Sequence, residues 1–364
     1  MVSEPEVLID KRDGLGLITL NRPKAINALN HPMALAITDA LRSWATEDEV
    51  RTVVVTGAGE RGLCAGGDIV AIHNDALVLN GRSATRGTAV ADSPTGVFWR
   101  DEYILNALIG RYPKPYVVVM DGIVMGGGVG LSGHGSHRIV TERSKIGMPE
   151  VGIGFIPDVG GTYLLSRTPG EIGTHVALTT ARMSAGDAIA AGFADYYVTS
   201  ENIPALLETL RTETADIAIA KFATDAPESE LVAQQEWIDD CYRAETVEQI
   251  VARLQATEVP EAAKAAQDIL AKSPVALKVT LRSLRAAREL ASLEAVLNEE
   301  YRVSIASLSS HDLVEGIRAQ VIDKDRNPRW NPATLAEVTA AEVDAYFAEL
   351  GDRELGASTT EGQQ

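Results

Sequence analysis

Between Met125 and Tyr163 the chain carries glycine at a density that no regular helix or strand tolerates, and this stretch constrains the fold more than any other. The triplet Gly126-Gly127-Gly128 is entered from the apolar run Tyr116–Met120, which reads as a buried strand. Lacking a Cβ, glycine lets backbone come close to a neighbour or a ligand. A free N–H at the start of the following helix can then point at a ligand oxygen. Tight strand-to-helix packing asks for the same glycines, so the triplet alone does not choose between these readings. A second glycine turn, Cys64-Ala65-Gly66-Gly67, follows another apolar strand, Arg51–Thr56, and offers a second donor. Open α/β sheets bind ligands beyond the carboxyl ends of their strands.

Two carboxylates stand inside the same glycine frame. Glu150, in Met148-Pro149-Glu150, and Asp158, in Pro157-Asp158, flank a segment made only of apolar residues, glycine and proline. A carboxyl in apolar surroundings has a raised pKa and suits acid–base or nucleophilic work. Asp158 equally suits the cap of a helix opening near Gly160. Asp101-Glu102 lies in the amphipathic stretch Phe98–Arg111, where a solvated helix face is the plain reading.

Taken in order, Val7–Ile9 and Gly16–Leu20 read as a hairpin around Asp13-Gly14, and Asn30 as the N-cap of a helix to Glu47. Residues 74–96 are polar and weakly periodic, a loop or partly helical lid. Helix is expected over 98–111, 161–167, 170–179 and 184–191, and short strands at 138–140 and 196–198. From Ile203 onward the pattern is helical, cut by Pro227, Pro260 and Pro274. The expectation is an α/β core over residues 1–200, a helical region over 201–352 and a frayed tail over 353–364.

Several function classes drop out. A net charge of −18 opposes a general nucleic-acid or anionic-membrane binder. Neither GxxxxGK[ST] nor a dinucleotide fingerprint in its strand–turn–helix context is present, and no Gly-x-Ser-x-Gly elbow. The six histidines form no metal pattern, and His134 reads as a packed helix residue. Cys64 and Cys241 give neither a disulfide framework nor metal-ligand spacing, and Cys64 reads as a small buried residue. The acidic start MVSEPEVLIDKRDG has no apolar core, and no apolar run reaches the roughly 20 residues that span a bilayer. The expected compartment is cytoplasmic.

Four motifs, Asn21-Arg22-Pro23-Lys24-Ala25-Ile26-Asn27-Ala28, Cys64-Ala65-Gly66-Gly67-Asp68, Met125-Gly126-Gly127-Gly128 and Met148-Pro149-Glu150, resemble in order and spacing the crotonase (enoyl-CoA hydratase/isomerase) superfamily. The resemblance implies an α/β spiral of ββα units with a helical C-terminal region and an acyl-CoA substrate. It implies a trimer or dimer of trimers, and no metal or cofactor, CoA being part of the substrate. It places an oxyanion hole at the backbone N–H groups of Ala65 and Gly127 and substrate contacts at Gly126, Gly67 and Asp68. Lys24 falls where a basic side chain approaches CoA phosphates, with a surface lysine as the plain alternative.

Further stretches narrow the resemblance: Phe98–Tyr103 with Glu102, Gly154–Gly161 with Asp158, and His311–Arg318 through Ile322–Asp325. They are similar to the superfamily's hydrolases of short 3-hydroxyacyl-CoA thioesters, with 3-hydroxyisobutyryl-CoA and valine catabolism as the implied substrate and pathway. Hydratases of the superfamily carry a second catalytic glutamate two residues after the glycine triplet, and here that position is Gly130. The resemblance makes Glu150 and Asp158 catalytic and Glu102 the acceptor for the substrate hydroxyl. Two other readings stand beside it: an enoyl-CoA hydratase or isomerase working with Glu150 alone, and a protein that binds acyl-CoA or RNA without turnover. The acidic charge opposes RNA.

Overall fold

The computed structural model describes residues 4–80 and 88–358. They divide into two compact units, the first Met1–Gly67, Ile104–Gly147 and Arg182–Val232, the second Asp68–Tyr103, Met148–Ala181 and Ala233–Gln364. The single break expected near residue 200 is therefore not where the chain divides. Residues 68–103 and 148–181, although early in the sequence, belong with the C-terminal helices.

The first unit holds both sheets. Strands β1 (Val7–Arg12) and β2 (Leu15–Leu20) form the expected antiparallel hairpin, and its two turn residues Asp13 and Gly14 both have positive φ, as a type I′ turn demands. Parallel strands follow in the order β2, β3 (Thr52–Gly57), β4 (Tyr116–Met120), β6 (His137–Val140) and β9 (Tyr196–Tyr197). One face of this sheet buries Leu15, Val54, Val117, Ile139 and Val198 against Leu206, Leu210 and Ile219 of following helices. Burying a side chain of this kind contributes roughly 1.5–3 kcal/mol. The helix His31–Thr46 starts at the Asn30 cap, whose side chain accepts from the Met33 amide at 3.1 Å.

A second sheet was not expected from the sequence: β5 (Ile123–Met125), β7 (Lys145–Gly147) and β8 (Arg182–Met183). The glycine triplet therefore leaves β5 rather than β4. Gly122, at φ 70°, turns the chain between the two strands, and a Cβ there would lie 2.7 Å from Gly62 Cα.

The second unit is helical. The described part of residues 74–96 is partly helical, one of the two expected readings: Ile69–Asn80 is a helix, Thr88–Ala91 a short one, and the next runs Pro94–Gly110 rather than from Phe98. The missed signal is Ser93-Pro94, a capping residue followed by proline; Ser93 Oγ accepts from the Gly96 amide at 3.1 Å. The lid expectation otherwise falls on residues 81–87, outside the described ones. Helices Pro274–Glu289, Leu293–Leu308 and His311–Ile317 each begin at a serine cap, Ser273, Ser292 and Ser310. Val275, Val279, Val303, Val338 and Val343 pack with Ile156 into one core. The expected fraying from residue 353 is corrected as far as the description reaches. Glu354 pairs with Arg302 at 2.9 Å, and Ala357 exchanges two hydrogen bonds with the Asn298 side chain. Among the described residues no helix is long and apolar enough to cross a membrane.

Two glycines fix the segment that carries Glu150 and Asp158. A Cβ on Gly154, at φ 72°, would collide with the Asp312 carbonyl oxygen, and one on Gly316 with the backbone of Ile153. Helix propensity alone favours alanine over glycine at 316 by about 1 kcal/mol. The collision with backbone outweighs it, so Gly316→Ala is expected to destabilise by about 1–3 kcal/mol in urea unfolding.

Candidate active site

In the first unit the two glycine turns converge. Residues 63–67 run beside β5: Cys64 N donates to Ile123 O at 3.2 Å, and Met125 N to Cys64 O at 3.0 Å. A Cβ on Gly66, at φ 111°, would lie 3.4 Å from Met125 O and 3.9 Å from Gly127 N. Those are ordinary contacts, so it is the positive φ that favours glycine at 66, whereas Gly128 is required by space, since its Cβ would lie 2.5 Å from Cys64 O. Gly126, at φ 48°, opens the short helix Gly127–Ser132.

One expected donor is corrected here. The Ala65 N–H is used by the fold, donating to Ile26 O at 2.9 Å, so it is not available to a ligand. The Gly67 and Gly127 amides have no hydrogen-bond partner among the described residues, and neither do those of Gly66, Gly126 and Gly128. Sequence spacing could not reveal this, because Ile26 takes the left-handed conformation (φ 49°) that aims its carbonyl at Ala65. Lys24 lies exposed in the turn Pro23–Ala25. Cys64 and Cys241 are buried free thiols.

The second unit contains the carboxyl groups. Asp68 precedes the helix Ile69–Asn80, its Oδ1 accepting from the Ala71 amide at 3.4 Å. Glu150 opens the 3-10 turn Glu150–Ile153. Glu102, Glu150 and Asp158 are 2%, 5% and 5% exposed, and Glu300, which the sequence reading passed over, is 1% exposed. No basic side chain hydrogen-bonds any of the four among the described residues. Glu102 Oε1 and Glu150 Oε2 have no hydrogen-bond partner among the described residues. Asn106, one helical turn beyond Glu102, is likewise buried with both side-chain polar atoms unpartnered.

Burial without a counter-cation pushes all four carboxyls up. Glu102 and Glu150 rise well above the usual range, by burial first and Asp158's charge second. Asp158 rises to about 7 by burial, moderated by the Tyr103 phenol, which donates to its Oδ2 at 2.7 Å. Glu300 rises to about 8 by burial, although it accepts from Gly160 N at 2.6 Å, Thr162 N at 2.9 Å and Thr162 Oγ1 at 2.5 Å. Glu300, not Asp158, thus holds the start of the helix Gly161–Ser166. A readable signal existed for it. In Leu293–Leu308 the buried stripe Val296, Leu297, Glu300, Tyr301, Ser304, Leu308 puts a glutamate where helical spacing expects an apolar residue. A set of buried carboxyls all raised above their ordinary range, two of them to about 7 and about 8 and two with an unpartnered oxygen, is equipped for acid–base chemistry on a polar ligand.

The comparisons agree with this chemistry. A chain of Xenopus tropicalis named 3-hydroxyisobutyryl-CoA hydrolase, mitochondrial, is 40% identical over 97% of this chain and 91% of its own length. A solved structure titled as a carnitinyl-CoA dehydratase from Mycobacterium thermoresistibile superposes with TM-score 0.91 at 54% identity, covering 98% of this chain and 99% of that one. A second, titled as an enoyl-CoA hydratase from Rhodobacter sphaeroides, gives 0.86 at 42%, covering 96% and 99%. The α/β fold with its helical C-terminal region is thus of the crotonase type. With the enoyl-CoA hydratase/isomerase model matching residues 15–347, the chain belongs to that family.

Proposed function

We propose that this chain hydrolyses the thioester of 3-hydroxyisobutyryl-CoA, or of a similarly short 3-hydroxyacyl-CoA, to the free acid and CoA, a step of valine catabolism. The observation that carries the reading is the buried pair Glu150 and Asp158 in a chain whose Gly130 lacks the second glutamate of a hydratase. Addition of water to a double bond is served in this family by two carboxylates holding one water. Here the second carboxylate stands at Asp158 instead.

The roles follow from the chemistry of each group. The unpartnered amides of Gly67 and Gly127 suit the thioester oxygen as it gains charge, an effect worth about 3–4 kcal/mol per donor. Glu150 acts at the carbonyl carbon, as base for water or as nucleophile, and Asp158 orients the water and shares a proton with Glu150. In either route the C–S bond breaks, water supplies the acid's oxygen, and the thiolate takes up a proton. Glu102, with an unpartnered oxygen, accepts from the 3-hydroxyl. Gly126 lines the substrate turn, and Lys24 meets a CoA phosphate. No metal or cofactor takes part. A trimer or dimer of trimers, supported by family likeness, and a reducing, cytoplasmic compartment, supported by the free cysteines, complete the proposal.

The titles of the two solved structures favour a second reading, hydration or dehydration of an acyl-CoA with Glu150 alone. One assay separates the readings. Rapid thiol release from 3-hydroxyisobutyryl-CoA with little loss of enoyl absorbance from crotonyl-CoA is expected, and the reverse would overturn hydrolysis. Glu150→Gln and Asp158→Asn should each lower kcat at least about 100-fold in folded protein. Glu102→Gln should narrow the preference for 3-hydroxyacyl over plain acyl thioesters by roughly 10-fold, read as the ratio of kcat/KM values. Prolonged treatment with EDTA should leave the rate unchanged.

A further inference from the structure

The proposed reaction uses Asp158 but not the two hydroxyls lined up behind it. Tyr103 Oη donates to Asp158 Oδ2 at 2.7 Å and lies 2.7 Å from Ser304 Oγ. A phenol has one proton. With that proton given to the carboxylate, the second contact must run from the serine hydroxyl to the phenol oxygen. The three groups therefore form a directed chain, Ser304 to Tyr103 to Asp158. Tyr103 and Ser304 are both 0% exposed, so the chain ends inside the protein and delivers no proton to water. The tyrosine ring is held in turn by an edge contact with Tyr301, centroids 6.0 Å apart. Glu300, one helical turn before Ser304, fixes the backbone just after Asp158 through the Gly160 and Thr162 amides.

We infer that Tyr103 is the positioning residue of Asp158: backed by Ser304, it engages Oδ2 and leaves the other carboxyl oxygen for the reacting water or Glu150. The inference rests on the hydrolase reading above. A merely structural tyrosine would need only a satisfied hydroxyl, whereas a positioning one must set the charge state of its partner. The groups acting on Asp158 from the elements around it are Glu102, Glu150 and Glu300, whose charges oppose its ionisation, and Tyr103, whose proton favours it. Removing that proton raises the pH at which Asp158 ionises.

The test reads this ionisation directly, by isotope-edited infrared spectroscopy of the carboxyl stretch in the full chain, assigned by its loss in D158N. In Y103F, which keeps the ring packing, the Asp158 midpoint should move up by about one pH unit. S304A should move it the same way by less, and it reads the same chain if Y103F does not fold. In the thiol-release assay the acid limb of the Y103F pH–rate profile should shift with the midpoint. Its kcat should fall roughly 10–100-fold, with KM within about twofold of wild type. An unmoved midpoint, or a moved midpoint with kcat unchanged, overturns the inference. Absence of thiol release from wild type overturns the hydrolase reading instead, while the infrared midpoint still shows whether Tyr103 governs Asp158.

Discussion

Four carboxyl groups buried in one helical unit without a cation set the terms for that part of the structure. Moving an ionised carboxylate out of water costs several kcal/mol unless it is paired or hydrogen-bonded. Here the cost is met by protonation and by aimed donors: three on Glu300 and one phenol on Asp158. The sign of the pH dependence follows. Asp158 and Glu300 keep protons to about 7 and about 8 in the folded chain, while the unfolded chain releases them near the ordinary carboxylate range. Their contribution to stability is therefore fully present at low pH and is lost as pH rises through that window. The unit tolerates this because the same strain puts proton-sharing groups near neutrality, where acid–base chemistry needs them.

The helical C-terminal part is the wall against which these groups are held. Glu300 and Ser304 come from one of its helices, and Gly154 and Gly316 let the backbone that carries Glu150 and Asp158 lie against another. The stretches His311–Arg318 and Gly154–Gly161 thus meet in the fold through these two glycines. A larger residue at either glycine drives backbone into backbone. In the first unit the same device recurs at smaller scale, with Gly128 letting the two turns meet at the Cys64 carbonyl.

Much of this was legible from local pattern. The Asp13-Gly14 hairpin, the Asn30 cap, the valine-rich parallel strands and the glycine turns are written in residues whose conformational preferences are strong. Glu150 and Asp158 were singled out as carboxyls in apolar surroundings from their flanks, whereas the solvated helix face read for Glu102 is corrected by its burial. What failed needed partners distant in sequence. Ala65 looked like a donor until Ile26, 39 residues earlier, took its proton. The short strands β5, β7 and β8 are too brief to show a period, and Ser93-Pro94 was submerged in a polar stretch.

The sequence by itself determined the family and marked Glu150 and Asp158 as carboxyls in apolar surroundings, because motifs and apolar flanks are local properties. The tertiary structure alone decided which amides are left unpaired, which residue holds the turn after Asp158, and which hydroxyl points at its carboxylate. Hydrogen bonds are short and directional. Whether Ala65 or Gly67 is free, or whether Tyr103 or a water meets Asp158, depends on where residues far apart in the chain finally sit.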